Sequence, residues 1–335
     1  MTYAAALNEA LHTVLERDPR VVLLGEDIAD PYGGAFKVTR GLTTRFPDRV
    51  RTTPVSESAL TGLAAGLALR GHRPVLEIMF GDFLTLCFDQ VINHIVKYGP
   101  MYDGQATCPV VIRTPSGGGR GYGPTHSQSL EKHFVGIPGI RVVAASLYHD
   151  PLDLFTDFLA RDEPVLHVEH KLLYPQQVAT ADALRGQGWL VGTDASPGAL
   201  PTVTLSAVPR ADCTATVVAY GHQASQVART VQRLAVDEEV FVELLVPAQI
   251  APMDWAPVER SVSATGSLVT VEEGTAGWSW GTGVSDHVSR SCFGRLRRPV
   301  DVLTSDSAVI PSSRELEAEM LVNASDIEHA LVGAA

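Results

Sequence analysis

Short apolar runs that leave no room for a polar face recur along this chain, each joined to a segment of helical periodicity, and this alternation constrains the fold most. Val21-Val22-Leu23-Leu24 is the first such run, after a stretch in which Ala6, Leu7, Ala10, Leu11, Val14 and Leu15 fall at helical spacing. Pro74–Phe80, Val110–Arg113, Arg141–Ala145 and Val165–Val168 read as further strands, with helices over Leu60–Leu69, Phe83–Tyr98 and Pro151–Ala160. A strand apolar on both faces is covered on both faces, which predicts parallel sheets flanked by helices. Residues 176–212 break the pattern, being rich in Gly, Ala, Pro, Ser and Thr, and read as a linker or crossover. Alternation then restarts, with strands over Ala215–Tyr220, Val240–Leu245, Ser267–Val271 and Val300–Leu303. Helices are expected over Gln223–Leu234, Thr282–Arg290 and Ser313–Leu331. The expectation is an α/β protein of two domains with mostly parallel sheets, 1–175 and 213–335, joined by 176–212. A length of 335 residues agrees with two domains of roughly 100–200 residues each.

Charge and composition remove several function classes. The formal net charge of −12 lacks the phosphate attraction on which nucleic-acid binders depend, and the only local basic cluster is Arg295, Arg297 and Arg298. Nucleic acid is therefore not an expected partner. No stretch approaches the roughly 18 uncharged apolar residues of a membrane span, and the N-terminus does not read as a secretory leader. Cys87, Cys108, Cys213 and Cys292 are scattered without CxxC pairing, as expected for buried free thiols in a reducing cytoplasm.

Common catalytic signatures are absent or misplaced. There is no GxxxxGK[ST], and Gly117-Gly118-Gly119-Arg120-Gly121-Tyr122-Gly123 does not satisfy GxGxxG. Gly277-Trp278-Ser279-Trp280-Gly281 matches GxSxG, but loop residues are expected between it and the preceding strand, whereas a nucleophile elbow needs a sharp strand-to-helix turn. His167 and His170 lie on a strand pattern, where positions three apart point to opposite faces, so they read as structural rather than metal-binding.

Two places remain. In Thr53-Pro54-Val55-Ser56-Glu57-Ser58-Ala59 an acid enters a helix rich in Gly and Ala, which predicts close packing and a buried carboxyl. Such an acid is either a functional group or a carboxylate that simply complements the helix dipole. In the second, the glycine cluster runs into Pro124-Thr125-His126-Ser127-Gln128-Ser129, a flexible loop beyond the carboxyl end of a strand, where α/β proteins build sites. His126 is either a site residue or an incidental exposed histidine in a turn.

Read together, these segments resemble the β subunit of the thiamine-diphosphate-dependent decarboxylating component of 2-oxo acid dehydrogenases. The pyruvate, branched-chain and acetoin types belong there, within the transketolase-like superfamily. The resemblance runs in order through Leu24-Gly25-Glu26-Asp27, Thr53–Glu57, Gly71–Pro74, Phe80–Phe83, Phe88–Asn93, Gly123–Ser129 and Pro138–Val143. It implies a pyrimidine-binding domain followed by a transketolase C-terminal-like domain. Glu57 would hydrogen-bond the cofactor's aminopyrimidine and help activate it, Phe83 would pack on that ring, and Val55 would offer a backbone contact. His126 would act during acyl transfer to a lipoyl arm, and the second domain would take part in β–β contacts.

The superfamily holds the diphosphate through magnesium bound by a GDG…N motif, and no GDG occurs here. In the resembling family that motif sits on a separate α subunit, so this chain is expected to supply half of each site within an α2β2 heterotetramer, with no metal ligand of its own. Partners so implied are the α subunit and a lipoyl-bearing acyltransferase or acyl carrier protein. Residues Arg161-Asp162-Glu163-Pro164 depart from the family's turn at a structural potassium site, and Thr304–Pro311 departs from its C-terminal pattern. Two further readings are transketolase-like transfer of a two-carbon ketol unit to a carrier protein, and a non-catalytic scaffold for the α partner.

Overall fold

A computed structural model describes residues 1–335 and divides them into two compact units. The first comprises Met1–Gly117, Gly136–Val143 and His149–Val178, and the second Gly118–Val135, Ala144–Tyr148 and Ala179–Ala335. No helix is long and apolar enough to cross a membrane.

In the first unit the strands are β1 (Val21–Glu26), β2 (Val50–Thr53), β3 (Arg73–Glu77), β4 (Val111–Ser116), β5 (Arg141–Ala144) and β6 (Val165–His170). They lie in the order β5-β6-β4-β3-β1-β2. The β1–β2, β1–β3, β3–β4 and β4–β6 pairs are parallel. Every residue of β4 and β6 is buried, which is why their sequences carry no alternation. Helix Tyr3–Arg17 buries the stripe Leu7, Ala10, Leu11, Val14 and Leu15 and packs on helix Pro151–Ala160, which starts at an Asp150 cap followed by proline.

The second unit holds β7 (Leu190–Asp194), β8 (Thr202–Ser206), β9 (Ala215–Ala219), β10 (Val242–Pro247), a short β11 (Gln249–Ala251), β12 (Leu268–Thr275) and β13 (Asp301–Ser305). Six of these form a sheet in the order β13-β12-β9-β10-β8-β7. The β9, β10, β12 and β13 pairs are parallel, while β8 runs antiparallel to both β10 and β7. Helix Gly221–Asp237 and helix Ala324–Ala334 cover it, and Val217, Val227, Val231, Leu244, Val271, Ile327 and Leu331 form one apolar core.

Three segments differ from the sequence expectation. The stretch read as a linker carries helix Ala181–Gly186 and the β7–β8 hairpin, because Leu190-Val191 and the β-branched Thr202-Val203-Thr204 are strand formers hidden between turn residues. Phe83–Tyr98 is not one α-helix: Gly81–Cys87 is wound as a 3₁₀ turn and Gln90–Ile95 as a π-turn. Its buried residues Leu84, Cys87, Val91 and Ile95 are spaced three, then four apart, and the winding follows that spacing to keep them on one face. The last helix is two, Arg314–Met320 and Ala324–Ala334, because Asn323 and Asp326 form a reciprocal capping box between them.

Candidate active site

At the carboxyl end of β1 and β2 the chain gathers acids. Glu26 closes β1 and is buried, and one of its carboxylate oxygens accepts the Ser56 N–H at 3.0 Å. That bond fixes the residue preceding Glu57, whose helix then runs from Glu57 to Leu69. Ser56 makes no side-chain cap, so the acid stands at the positive end of the helix without a competing hydroxyl. Glu57 is 6% exposed. The Thr61 hydroxyl donates to the Glu57 carbonyl, at 2.7 Å. Burial, and then the nearby Glu57 charge, raise the Glu26 pKa, so two acids share one enclosed place. Val55, by contrast, is 75% exposed.

Phe83 sits in the Gly81–Cys87 turn, which packs on the Glu57–Leu69 helix. Its ring meets Phe80 edge-on at 6.0 Å and 78°, and Phe80 meets Phe36 at 5.8 Å and 74°. The ring itself is only half-buried. Cys87, four residues on, lies beside Thr61 and feels the Glu57 charge, with burial holding its thiol up at about 11. Val55, Glu57 and Phe83 are thus brought into one neighbourhood of the first unit.

Beneath them, Arg113 on β4 bridges β3 and β6. The guanidinium donates to Glu77 and, at 2.9 and 2.5 Å, to both oxygens of Glu169, and the Tyr174 hydroxyl adds a bond to Glu169 at 2.8 Å. Arg113 is 1% exposed and Glu169 fully buried. Burial pushes the Glu169 carboxyl up, but Arg113 and His167 outweigh it and hold it at about 2, whereas burial prevails at Glu77 and raises it. Sequence reasoning assigned no role to Glu26 or to this cluster. The signal was there: a charged residue inside an otherwise apolar strand, as in Val111-Ile112-Arg113, is paired or it is not tolerated.

His126 belongs to the second unit. Its N–H donates to the Gly123 carbonyl at 3.3 Å, and its Nδ1 lies 3.0 Å from the Thr125 hydroxyl, which leaves Nε2 facing away from that contact. The loop leading to it is fastened rather than flexible: the amides of Gly118, Gly119 and Gly121 all donate to buried glutamates. Lys132, beyond the histidine, donates to the Thr275 carbonyl and hydroxyl at 3.0 and 2.8 Å.

The remaining motif residues are structural. His167 is enclosed by Phe155 and Phe158 and approaches Glu169 at 3.2 Å, while His170 accepts the Leu172 N–H. Strand β12 extends to Thr275, closer to Ser279 than expected, but the Ser279 hydroxyl accepts the Thr282 N–H as the N-cap of helix Trp280–Ser291. All four cysteines are unpaired and buried.

Comparison with known proteins agrees with these features. Residues 1–177 match the family described as "Transketolase, pyrimidine binding domain", and residues 206–327 match "Transketolase, C-terminal domain". The acetoin:2,6-dichlorophenolindophenol oxidoreductase subunit beta of Cupriavidus necator is 34% identical over 96% of this chain and 94% of its own. The pyruvate dehydrogenase E1 component subunit beta of Leifsonia xyli is 36% identical over 88% of this chain and 83% of its own. The 3-methyl-2-oxobutanoate dehydrogenase subunit beta of Mycobacterium tuberculosis is 34% identical, with coverages of 90% and 82%. A solved structure titled "Split gene transketolase, inactive beta4 tetramer" shares the fold at a TM-score of 0.74 and 20% identity, covering 98% of this chain and 96% of that one.

Proposed function

This chain belongs to the transketolase-like family of β subunits of 2-oxo acid dehydrogenase decarboxylating components, and from that premise we propose the part its residues play. It forms the pyrimidine-binding half of a thiamine-diphosphate site, decarboxylates a 2-oxo acid together with an α subunit, and passes the acyl unit to a lipoyl or other carrier. The observation that carries the reading is the buried Glu57 at the start of its helix, beside a second buried acid, Glu26, with Phe83 in the turn packed on the same helix. A carboxyl in such a setting is stabilised by a hydrogen-bond donor, and a ring carrying N–H donors is a ligand that suits it. Phe83 presents a half-buried aromatic face for that ring, and exposed Val55 offers its backbone to it. When bound, thiamine diphosphate supplies the carbanion and electron-sink chemistry that decarboxylation requires.

Glu57 would hold the aminopyrimidine through its carboxyl, next to the buried Glu26, whose pKa is raised by burial and then by the Glu57 charge. His126 orients the acyl group and donates a proton during its transfer. Magnesium and the diphosphate fall to the α subunit, since this chain has no GDG. The assembly is an α2β2 heterotetramer. Gly62 and Gly66 support a partner at this helix, because a side-chain carbon added at either would meet nothing within 4 Å in this chain. Residues 1–175 serve as the pyrimidine-binding domain and 213–335, extended by β7 and β8, as the C-terminal-like domain. Four unpaired cysteines support a cytoplasmic setting.

Co-expression with an α chain carrying GDG…N, followed by assay of pyruvate, branched 2-oxo acids and ketose phosphates, tests this reading. A 2-oxo acid should be decarboxylated by the pair and by neither chain alone. Glu57→Gln should lower the rate on the order of 10²–10⁴-fold while assembly persists. Turnover by the β chain alone, or by the Glu57→Gln assembly at the normal rate, would refute it.

A further inference from the structure

We propose that Glu317 is a positioning residue for His126, acting by filling with a carboxylate the nest of amides that the preceding glycines create. Gly117, Gly119, Gly121 and Gly123 have φ of +85°, +79°, +69° and +77°. A left-handed residue at every second position turns successive N–H groups toward one concave side, an arrangement that attracts anions. Here the anion is built in. Glu317 Oε1 accepts the Gly119 N–H at 3.0 Å, Oε2 accepts the Gly121 N–H at 2.8 Å, and Glu273 accepts those of Gly118 at 2.7 Å and the Ser129 hydroxyl at 3.0 Å.

Close approach explains the glycines. A Cβ at Gly118 would lie 2.7 Å from Leu321 and 3.0 Å from Glu317 Oε1; one at Gly121 would lie 2.7 Å from Arg314, and one at Gly123 2.9 Å from the Ser312 hydroxyl. Glu317 is 1% exposed on helix Arg314–Met320, so its carboxylate has no water to fall back on and the amides are its partners. The last clamped amide is that of Gly121, two residues before Gly123, whose carbonyl takes the His126 N–H. The loop before the histidine is therefore held by Glu273 and Glu317, and through it the imidazole is positioned by a residue, Glu317, almost two hundred positions further along the chain.

The consequence for acyl transfer rests on the function proposed for His126; the clamp itself does not. The full-length chain, assembled with its α partner, is compared with its Glu317→Gln and Glu317→Ala forms by hydrogen exchange and by kinetics. Exchange at the Gly119 and Gly121 amides should rise on the order of tenfold or more in Glu317→Ala, with β9 and β10 unchanged, and by less in Glu317→Gln, which keeps one acceptor oxygen. The kcat for acyl transfer to a carrier should fall, while KM for the 2-oxo acid and decarboxylation with an artificial electron acceptor stay near wild type. Unchanged exchange in Glu317→Ala would overturn the clamp. Faster exchange with unaltered acyl transfer would overturn the positioning role. A wild-type assembly inactive on every 2-oxo acid would refute the functional reading instead, leaving the exchange result to judge the clamp.

Discussion

Glu169 shows what one side chain contributes when nothing around it is wet. Its carboxyl is held at about 2 by Arg113 and His167 against an ordinary value of 4.5. A depressed folded-state value stabilises the fold above pH 4.5, and that stabilisation is lost as pH falls from 4.5 toward 2. Urea unfolding midpoints of the wild-type chain should therefore drop across that window. In Glu169→Gln, the loss of one member of a buried charged cluster should cost about 3–5 kcal/mol at neutral pH, and the acid slope should flatten. Equal slopes in the two proteins would remove Glu169 from the account. At this scale the sequence was partly legible. The burial of Glu57 was readable from the small residues that follow it. Glu26 and Arg113 were not assigned roles, because what makes an isolated charge tolerable is a partner dozens of residues away, as Arg113 and Glu169 are.

Elements were legible where their apolar runs stand clear of Gly and Pro. The helix Pro151–Ala160 and the strands β1, β4 and β9 follow directly from apolar runs and a proline start. The strands β7 and β8 are no shorter than β9, but the Gly and Pro residues around them dominate the reading. The break at Asn323 was readable in principle, since Asn323-Ala324-Ser325-Asp326 is a capping pattern, but an apolar stripe running across it suggested continuity. Asn323→Ala removes that cap. It should destabilise the second unit by about 1 kcal/mol, measured as a lower melting temperature, with helix Arg314–Met320 retaining its content. No change in melting temperature would show that the tertiary packing of Ile327 and Leu331 alone holds the last helix.

For the molecule as a whole, the helix Glu57–Leu69 is apolar on more sides than one chain covers. Ala64, Ala65 and Ala68 face inward, while Gly62, Leu63, Gly66 and Leu69 face out. The close packing expected from its composition is thus made with nothing in this chain at Gly62 and Gly66. Gly66→Ala should have opposite effects at the two levels of organisation. It should stabilise the lone β chain by about 0.5–1 kcal/mol, as Gly to Ala does inside a helix, and weaken association with the α chain in sedimentation analysis. Unaltered assembly would place the partner elsewhere. A last consequence concerns the sealed cysteines. Burial holds the thiols of Cys87, Cys108 and Cys213 at about 11 to 12, far from the thiolate that reacts with disulfide reagents. In the folded molecule these three thiols should pass such a reagent unmarked, so the rate at which they develop colour is a clock for how often the polypeptide opens.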